Sequence, residues 1–195
     1  MINSYGMKSI VACSGVTGSF SEEAAQKFIL DQNLDGELNY AITSDASLAA
    51  VAKGEAEYAV IPLENHNGGI VYETVYATAR YLYDVVSIFE IDVQQNLLVK
   101  PGTKKEDINQ IVSHQQGIAQ CRFYLKREFP EAETVEYPDT SLAAKHLAEG
   151  KFADGTAVIA SKRAAELTRL EILEPSIQDL KFNFTAFLAV KNVKR

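Results

Sequence analysis

The chain has 195 residues, 47% of them hydrophobic and 23% charged, enough to bury the core of one large domain or of two lobes of about 90–100 residues each. No run approaches the roughly 18 uninterrupted apolar residues of a membrane span, and a net charge of −7 with scattered basic residues disfavours nucleic-acid and acidic-membrane partners, which leaves a small molecule as the expected ligand. The opening MINSYGMKSIVAC lacks a basic start followed by a long apolar run, so a cytoplasmic protein is expected, and Cys13 and Cys121, far apart and outside any CxxC spacing, suggest neither a zinc site nor a disulfide framework.

In chain order, Ser9 to Cys13 is a short apolar run, and Ser21 to Asp31 has helical periodicity through Ala24, Phe28 and Ile29. Asn39 to Thr43 reads as a strand, Ser44 to Ala52 as a helix capped by Ser44 or Asp45, and Tyr58 to Pro62 as a buried strand ending at proline. A long amphipathic helix is expected from Val71 to Tyr83, followed by β-rich segments over Val85 to Val99 that close at Pro101 and Gly102. Lys105 to Asn109 reads as a helical turn, Gln110 to Ser113 as a strand and Gly117 to Glu128 as a helix. Thr134 to Tyr137, Ser141 to Gly150, Thr156 to Ala160 and Ser161 to Leu167 then alternate strand with helix. This alternation specifies an α/β protein. Two similar halves, with a final strand returning toward the first, leave a cleft between lobes as the expected ligand site.

Four segments carry polar groups at places where a ligand is usually held. Gly15, Gly18, Ser19 and Ser21 lie in a turn that follows a strand and opens a helix, so free N–H groups and hydroxyls converge there on an anion. Gly-x-Gly-x-x-Gly and Gly-x-x-x-x-Gly-Lys spacings are both missing, so no nucleotide cofactor is expected, and Ser21 could equally serve as a helix cap. Asn65 and His66 belong to the run ENHNGG after a buried strand, with Thr74 in the first turn of the next helix. Ser113, placed to cap a helix, and Gln120 belong to SHQQGIAQC, where His114 is a weaker acid–base candidate without a nameable partner.

In the last strand, Asn183, Thr185 and Phe187 share one face and Phe184, Ala186 and Leu188 the other, which puts a lone hydroxyl beside an amide at the strand's mouth. No GxSxG, HExxH or metal-spaced His/Cys cluster is present, so the expected chemistry uses neutral donors and neither a metal nor a cofactor.

Together these segments resemble the catalytic domain of prephenate dehydratase, in that family's order over nearly the whole chain. Gly15 to Ser21 is similar to its Gly-Pro-x-Gly-Thr-Phe-Ser opening, Pro62 to Thr74 to its Pro-x-Glu-Asn-Ser loop, and Ser113 to Cys121 to its Ser-His-Pro-Gln segment. Thr140 to Ala144 also fits, and Ile177 to Phe187 is similar to the Ile-Gln-Asp stretch ending in Asn-x-Thr-Arg-Phe. The resemblance implies two α/β lobes of the periplasmic-binding-protein type II kind. Residues 1–92 plus 175–195 would form the first and 93–174 the second, with prephenate converted to phenylpyruvate in the cleft by loss of water and carbon dioxide. It implies Thr185 as the catalytic residue, and Asn65, Thr74, Ser113 and Gln120 as binding or orienting the substrate. Ser19, Ser21 and Asn183 join them as candidates.

Five positions depart from the family pattern: Val16 and Gln115 replace prolines, His66 a serine, Gln95 a frequent histidine and Ala186 an arginine. The expectation is that His66 supplies the missing positive charge within the cleft. A catalytic module without its own phenylalanine feedback and a homodimer are further expectations. The alternatives are a same-fold enzyme acting on a related acid, by arogenate dehydration or prephenate decarboxylation, and a non-catalytic binding protein using the same cleft.

Overall fold

The computed structural model describes residues 8–193; residues 1–7 and 194–195, at the two ends of the expected first lobe, lie outside the described residues. The first half of the chain runs β1 (Ser9–Cys13), α1 (Phe20–Asp31), β2 (Gly36–Tyr40), α2 (Ser44–Lys53), β3 (Tyr58–Asn65), the short β4 (Gly69–Ile70), α3 (Tyr72–Thr78) and β5 (Tyr83–Asp92). The second runs β6 (Asn96–Val99), a 3-10 turn (Lys105–Asp107), β7 (Gln110–Ser113), α4 (Gln115–Gln120), α5 (Arg122–Glu128), β8 (Glu133–Glu136), α6 (Thr140–Ala148), β9 (Thr156–Ala160), α7 (Lys162–Thr168) and β10 (Glu171–Glu174). β11 (Phe184–Asn192) closes the chain.

Two sheets result, with strand orders β2-β1-β3-β11-β5 and β10-β6-β9-β7-β8. In each, three parallel strands are extended by strands of mixed direction: β11 runs antiparallel to β3 and β5, and β6 antiparallel to β9 and β10. The chain crosses from the first sheet to the second between β5 and β6 and returns between β10 and β11. The last strand therefore returns to the first sheet but lies between β3 and β5 rather than beside β1.

Both faces of each sheet are covered, which is why the central strands are nearly all apolar. Val11, Cys13, Val60, Phe187 and Ala189 pack on Phe28 of α1, while Ala12, Ile61, Leu188 and Val190 pack on Leu48 and Val51 of α2. In the second sheet Leu97, Ile111 and Ile159 face Leu125, and Leu98, Val112 and Val158 face α6 and α7. Fully burying a side chain of the Val, Leu or Phe class stabilises by about 1.5–3 kcal/mol.

Several elements differ from expectation, some through distant contacts and some through local geometry. The helix expected to reach Tyr83 ends at Thr78, whose hydroxyl donates to Val75 O at 2.8 Å, and Tyr83 instead pairs with Asn192 across β5 and β11. The helix expected over 117–128 breaks at Cys121, because the Asp179 carboxylate accepts the N–H groups of Phe123 and Tyr124, each at 2.8 Å, and caps α5 from outside. β2 spans Gly36–Tyr40, ahead of the expected range, and stops before Ile42, whose φ of 71° is incompatible with a strand. β3 runs through Pro62 to Asn65, because the β3–β11 register skips Leu63 there and no ladder donor is required of the proline. Thr43, not Ser44 or Asp45, caps α2, and β10 was not expected.

Candidate active site

The topology gathers the polar segments at one edge. The carboxyl ends of β1, β3, β7 and β8 lead into the Ser14–Ser19 turn, Asn65, the His114–Gln120 segment and Pro138–Thr140. Thr185 is the second residue of β11 and Gln95 directly precedes β6; since both strands run antiparallel to their neighbours β3 and β9, their amino ends lie at this same edge. These residues line a cavity of about 410 Å³ between the two sheets, with Ser14, Ser19, Ser21, Asn65, Glu73, Gln95, His114, Gln116, Gln120, Asp139, Thr140 and Thr185 on its walls.

Asn65 is the centre of a buried amide network. Its Oδ1 accepts the backbone N–H groups of Asn67 at 3.0 Å and Gly68 at 2.7 Å, and Nε2 of Gln120 reaches it at 3.4 Å. Two backbone donors fix which end of this amide is oxygen. Nδ2 is thereby turned to donate to Thr185 Oγ1 at 2.8 Å and to Asn183 Oδ1 at 3.0 Å. Thr185 thus accepts a hydrogen bond, and its own hydroxyl hydrogen is donated to no group among the described residues.

Asn183 anchors the network from beneath: it is fully buried, and Nδ2 donates to Val93 O at 2.9 Å and to Gln120 Oε1 at 3.1 Å. Gln120 Oε1 also accepts from Gln95 Nε2 at 3.0 Å, so the amides of both sheets are tied together. The turn after β1 is held by Glu22, which is 2% exposed and accepts from Gly18 N, from Gln26 Nε2 and from Tyr40 Oη. Gly18 has φ 87°, and its carbonyl accepts from Ser161 Oγ at 2.7 Å, so this turn touches the second half of the molecule. On the opposite flank a Cβ on Gly68 would stand 2.5 Å from Gln116 Nε2, so the end of that glutamine would have to move aside.

Burial shapes the ionisable groups nearby. It pushes the Cys13 thiol up to about 12, with the Glu22 charge adding to the effect, and the Cys121 thiol up to about 12, with Asp179 adding. Neither sulfur offers a thiolate nucleophile. His114 caps α4 by accepting Gln116 N at Nδ1 (3.2 Å). Among the described residues no group of three or more His, Cys, Asp or Glu side chains converges as a metal site.

Of the residues expected at the site, the structure brings Thr185, Asn65, Gln120, Ser19 and Ser21 to the cavity wall. Ser19 also caps α1 by accepting Glu22 N at 3.2 Å, which leaves Ser21 without that task. Asn183 lies behind the wall. Three expectations are corrected. Thr74 is fully buried and shares a 2.7 Å hydrogen bond with Ser44, so it ties α3 to α2. Ser113 is also fully buried, donates to Ile159 O at 2.8 Å and does not cap α4; it ties β7 to β9.

His66 follows Asn65 by one residue and so takes the other face of the strand, where Nε2 lies 3.2 Å from Glu90. It is absent from the cavity wall and supplies no charge there. Ala186 sits across from Glu64 and Glu90 on that same outward face, so an arginine in its place would not face Thr185. Sequence reasoning did not single out Ser14, Glu73 or Asp139 as site residues, and knew Gln95 only as a departure from pattern. Their positions after strands or before helices were the available signal.

The prephenate dehydratase family model matches residues 11–195. The chain is 36% identical over 185 residues to arogenate dehydratase 5, chloroplastic, of Arabidopsis thaliana, covering 95% of this chain and 42% of that protein. It is 31% identical over 182 residues to the bifunctional chorismate mutase/prephenate dehydratase of Pseudomonas aeruginosa, covering 93% and 48%. The chain thus spans less than half the length of these relatives.

Among solved structures, a prephenate dehydratase of Arthrobacter aurescens in complex with L-Phe superposes with a TM-score of 0.84 at 25% identity, covering 96% of this chain and 61% of that one. GqqA, described as a quorum-quenching acylase, gives 0.79 at 27%, covering 95% and 65%. The likeness extends, as fold alone, to a periplasmic substrate-binding protein of an ABC transporter from Coxiella burnetii, at 0.52 and 13% with 95% and 85% covered. With a match that runs from the first strand through the threonine-bearing last one, the chain belongs to the prephenate dehydratase family.

Proposed function

We propose that the cleft converts prephenate to phenylpyruvate by decarboxylating dehydration. One proton is taken up, the ring C–OH bond breaks to release water, and the ring carboxylate leaves as carbon dioxide while its bonding electron pair completes the aromatic ring. The carrying observation is the orientation of Thr185. With its oxygen held by Asn65, its hydrogen is donated to no group among the described residues and is available to a ligand in the cavity. Aromatisation supplies the driving force, so what the protein adds is position and a hydrogen bond to the departing hydroxyl. The proton Thr185 gives is replaced from solvent. An apolar wall of Phe187, Pro62 and Val93 beside it favours a charged carboxylate becoming neutral carbon dioxide.

Purified protein incubated with prephenate is expected to form phenylpyruvate, read by its absorbance, and Thr185→Ala is expected to abolish that signal. Saturable binding of prephenate without turnover contradicts the proposal. We further propose a homodimer, supported by the outer edge of β5, which pairs with no strand among the described residues and is ten residues long with Val85 and Ile88 exposed. Sedimentation as a dimer at micromolar concentration is expected; a monomer contradicts it.

A further inference from the structure

We propose that Ser161, from the second half of the chain, is a positioning residue for the reaction: by donating its hydroxyl hydrogen to the Gly18 carbonyl it seats the turn after β1, and with it the Ser19 hydroxyl, against the substrate. This deepens the dehydratase reading and rests on it.

The need for such a seat follows from what the cavity lacks. Among the described residues that line it there is no lysine or arginine, so neutral donors have to hold the two carboxylates of prephenate. Ser19 is one such donor. It lines the cavity and stays partly exposed; its oxygen accepts Glu22 N at 3.2 Å, and its hydrogen is donated to no group among the described residues. A short hydroxyl reaches only one place, and a misplacement of about 1 Å can cost on the order of 10²-fold.

The ties within the turn set its shape but not its place. Ser19 N donates to Val16 O at 3.1 Å, and the buried Glu22 carboxylate accepts Gly18 N. Both belong to one segment. The bond that fixes the turn against the second half is the one from Ser161 Oγ to Gly18 O at 2.7 Å, which is buried at both ends and joins residues 143 positions apart. The seat fits closely: a Cβ added to Gly18, whose φ is 87°, would already touch Ser141 of α6 at 3.4 Å and Ala164 of α7 at 3.5 Å. As the cap of α7, Ser161 needs only its oxygen, which accepts Ala164 N at 2.9 Å. The hydrogen is left over from that task and is spent across the two halves.

A second acceptor competes for the same hydrogen. Glu23 faces Ser161, Arg163 and Glu166 of α7, with Glu22 beside it on α1. Burial pushes its carboxyl up to about 7, with the Glu22 and Glu166 charges adding to the effect and the Ser161 hydroxyl and Arg163 opposing it. Below that pH Glu23 is neutral and Ser161 holds Gly18. Above it, the carboxylate draws the Ser161 hydrogen and is repelled by Glu22 and Glu166, so the seat loosens.

The test is steady-state kinetics with prephenate on the wild-type, Ser161→Gly, Ser19→Ala and doubly substituted proteins. Glycine is tolerated at a helix cap, so Ser161→Gly removes the donor and keeps the helix start. Since a carboxylate is held alike before and during the reaction, Ser161→Gly is expected to raise KM about tenfold with kcat within about threefold of the wild type. Made in the Ser19→Ala protein, the same change is expected to raise KM less than about threefold, because both act through one hydroxyl. Between pH 6 and pH 8.5 the wild-type KM is expected to rise about threefold or more, and that of Glu23→Gln to stay within about twofold.

An unchanged KM in Ser161→Gly, or losses that multiply in the double variant, overturn this inference while leaving the dehydratase reading standing. Should Ser161→Gly fail to fold, the pH profiles decide alone: a flat wild-type KM, or one that climbs equally in Glu23→Gln, overturns it. Absence of turnover by the wild-type protein overturns both together.

Discussion

The hydrogen of one hydroxyl carries the chemistry, and its direction follows from a neighbour's amide. Two backbone N–H groups claim Asn65 Oδ1, so Asn65 can only donate to Thr185, and Thr185 is left to donate outward. Asn65→Asp keeps the shape and both backbone contacts but removes the donor. The Thr185 hydroxyl would then donate to the new carboxylate and be lost to the substrate. A fall in kcat of about 10²-fold or more is expected by steady-state kinetics; a kcat within threefold of the parent's contradicts the arrangement. Strand alternation was enough to read from the sequence that Asn183 and Thr185 share a face. It could not reveal that Thr74 and Ser113 spend their hydroxyls on Ser44 and on the Ile159 carbonyl, because those partners are 30 and 46 positions away.

At the scale of elements, the start of α1 does two tasks. Its preceding turn holds the Gly18 carbonyl against Ser161 at the cap of α7, and its first residues place Glu22 and Glu23 beneath that contact. Burial and the Glu22 charge push the Glu23 carboxyl up to about 7 from its ordinary 4.5. The folded chain therefore binds this proton more tightly than the unfolded chain. Glu23 costs no stability below the ordinary range, and stability is lost as pH rises through about 7. Glu23→Gln is expected to raise the melting temperature by roughly 2–4 °C at pH 8 and by much less at pH 5. Equal shifts at the two pH values contradict the assignment.

Elements whose boundaries are local, such as β1, β7 and β9, were legible from apolar runs and caps. Those set by distant groups were not. Asp179 breaks the helix at Cys121 from 58 positions away, and pairing of β5 with β11 overrides the helical periodicity that continues past Thr78.

The whole molecule is two sheets joined by two crossings, with the cavity where the crossings lie. Val93 and Gln95 stand at the first, Ile177 to Asn183 at the second, and the network links them through the 2.8 Å bond of Ile177 N to Gln95 O and the 2.7 Å bond of Val93 N to Asn183 O. The alternation of strands and helices made two α/β halves and a cleft readable in advance. The charge of that cleft was not readable, because it depends on which acidic side chains turn inward, and because His66 and Ala186 lie on the outward face of their strands.

Turnover depends on the Thr185 hydroxyl acting at the substrate rather than filling space. The direct measurement compares turnover by the parent, Thr185→Ser and Thr185→Ala proteins at saturating prephenate. The serine protein, which keeps a hydroxyl on the Asn65 amide, is expected to retain at least about a tenth of the parent's kcat, and the alanine protein less than about a hundredth while still binding substrate. Turnover by Thr185→Ala at the parent's rate would contradict it.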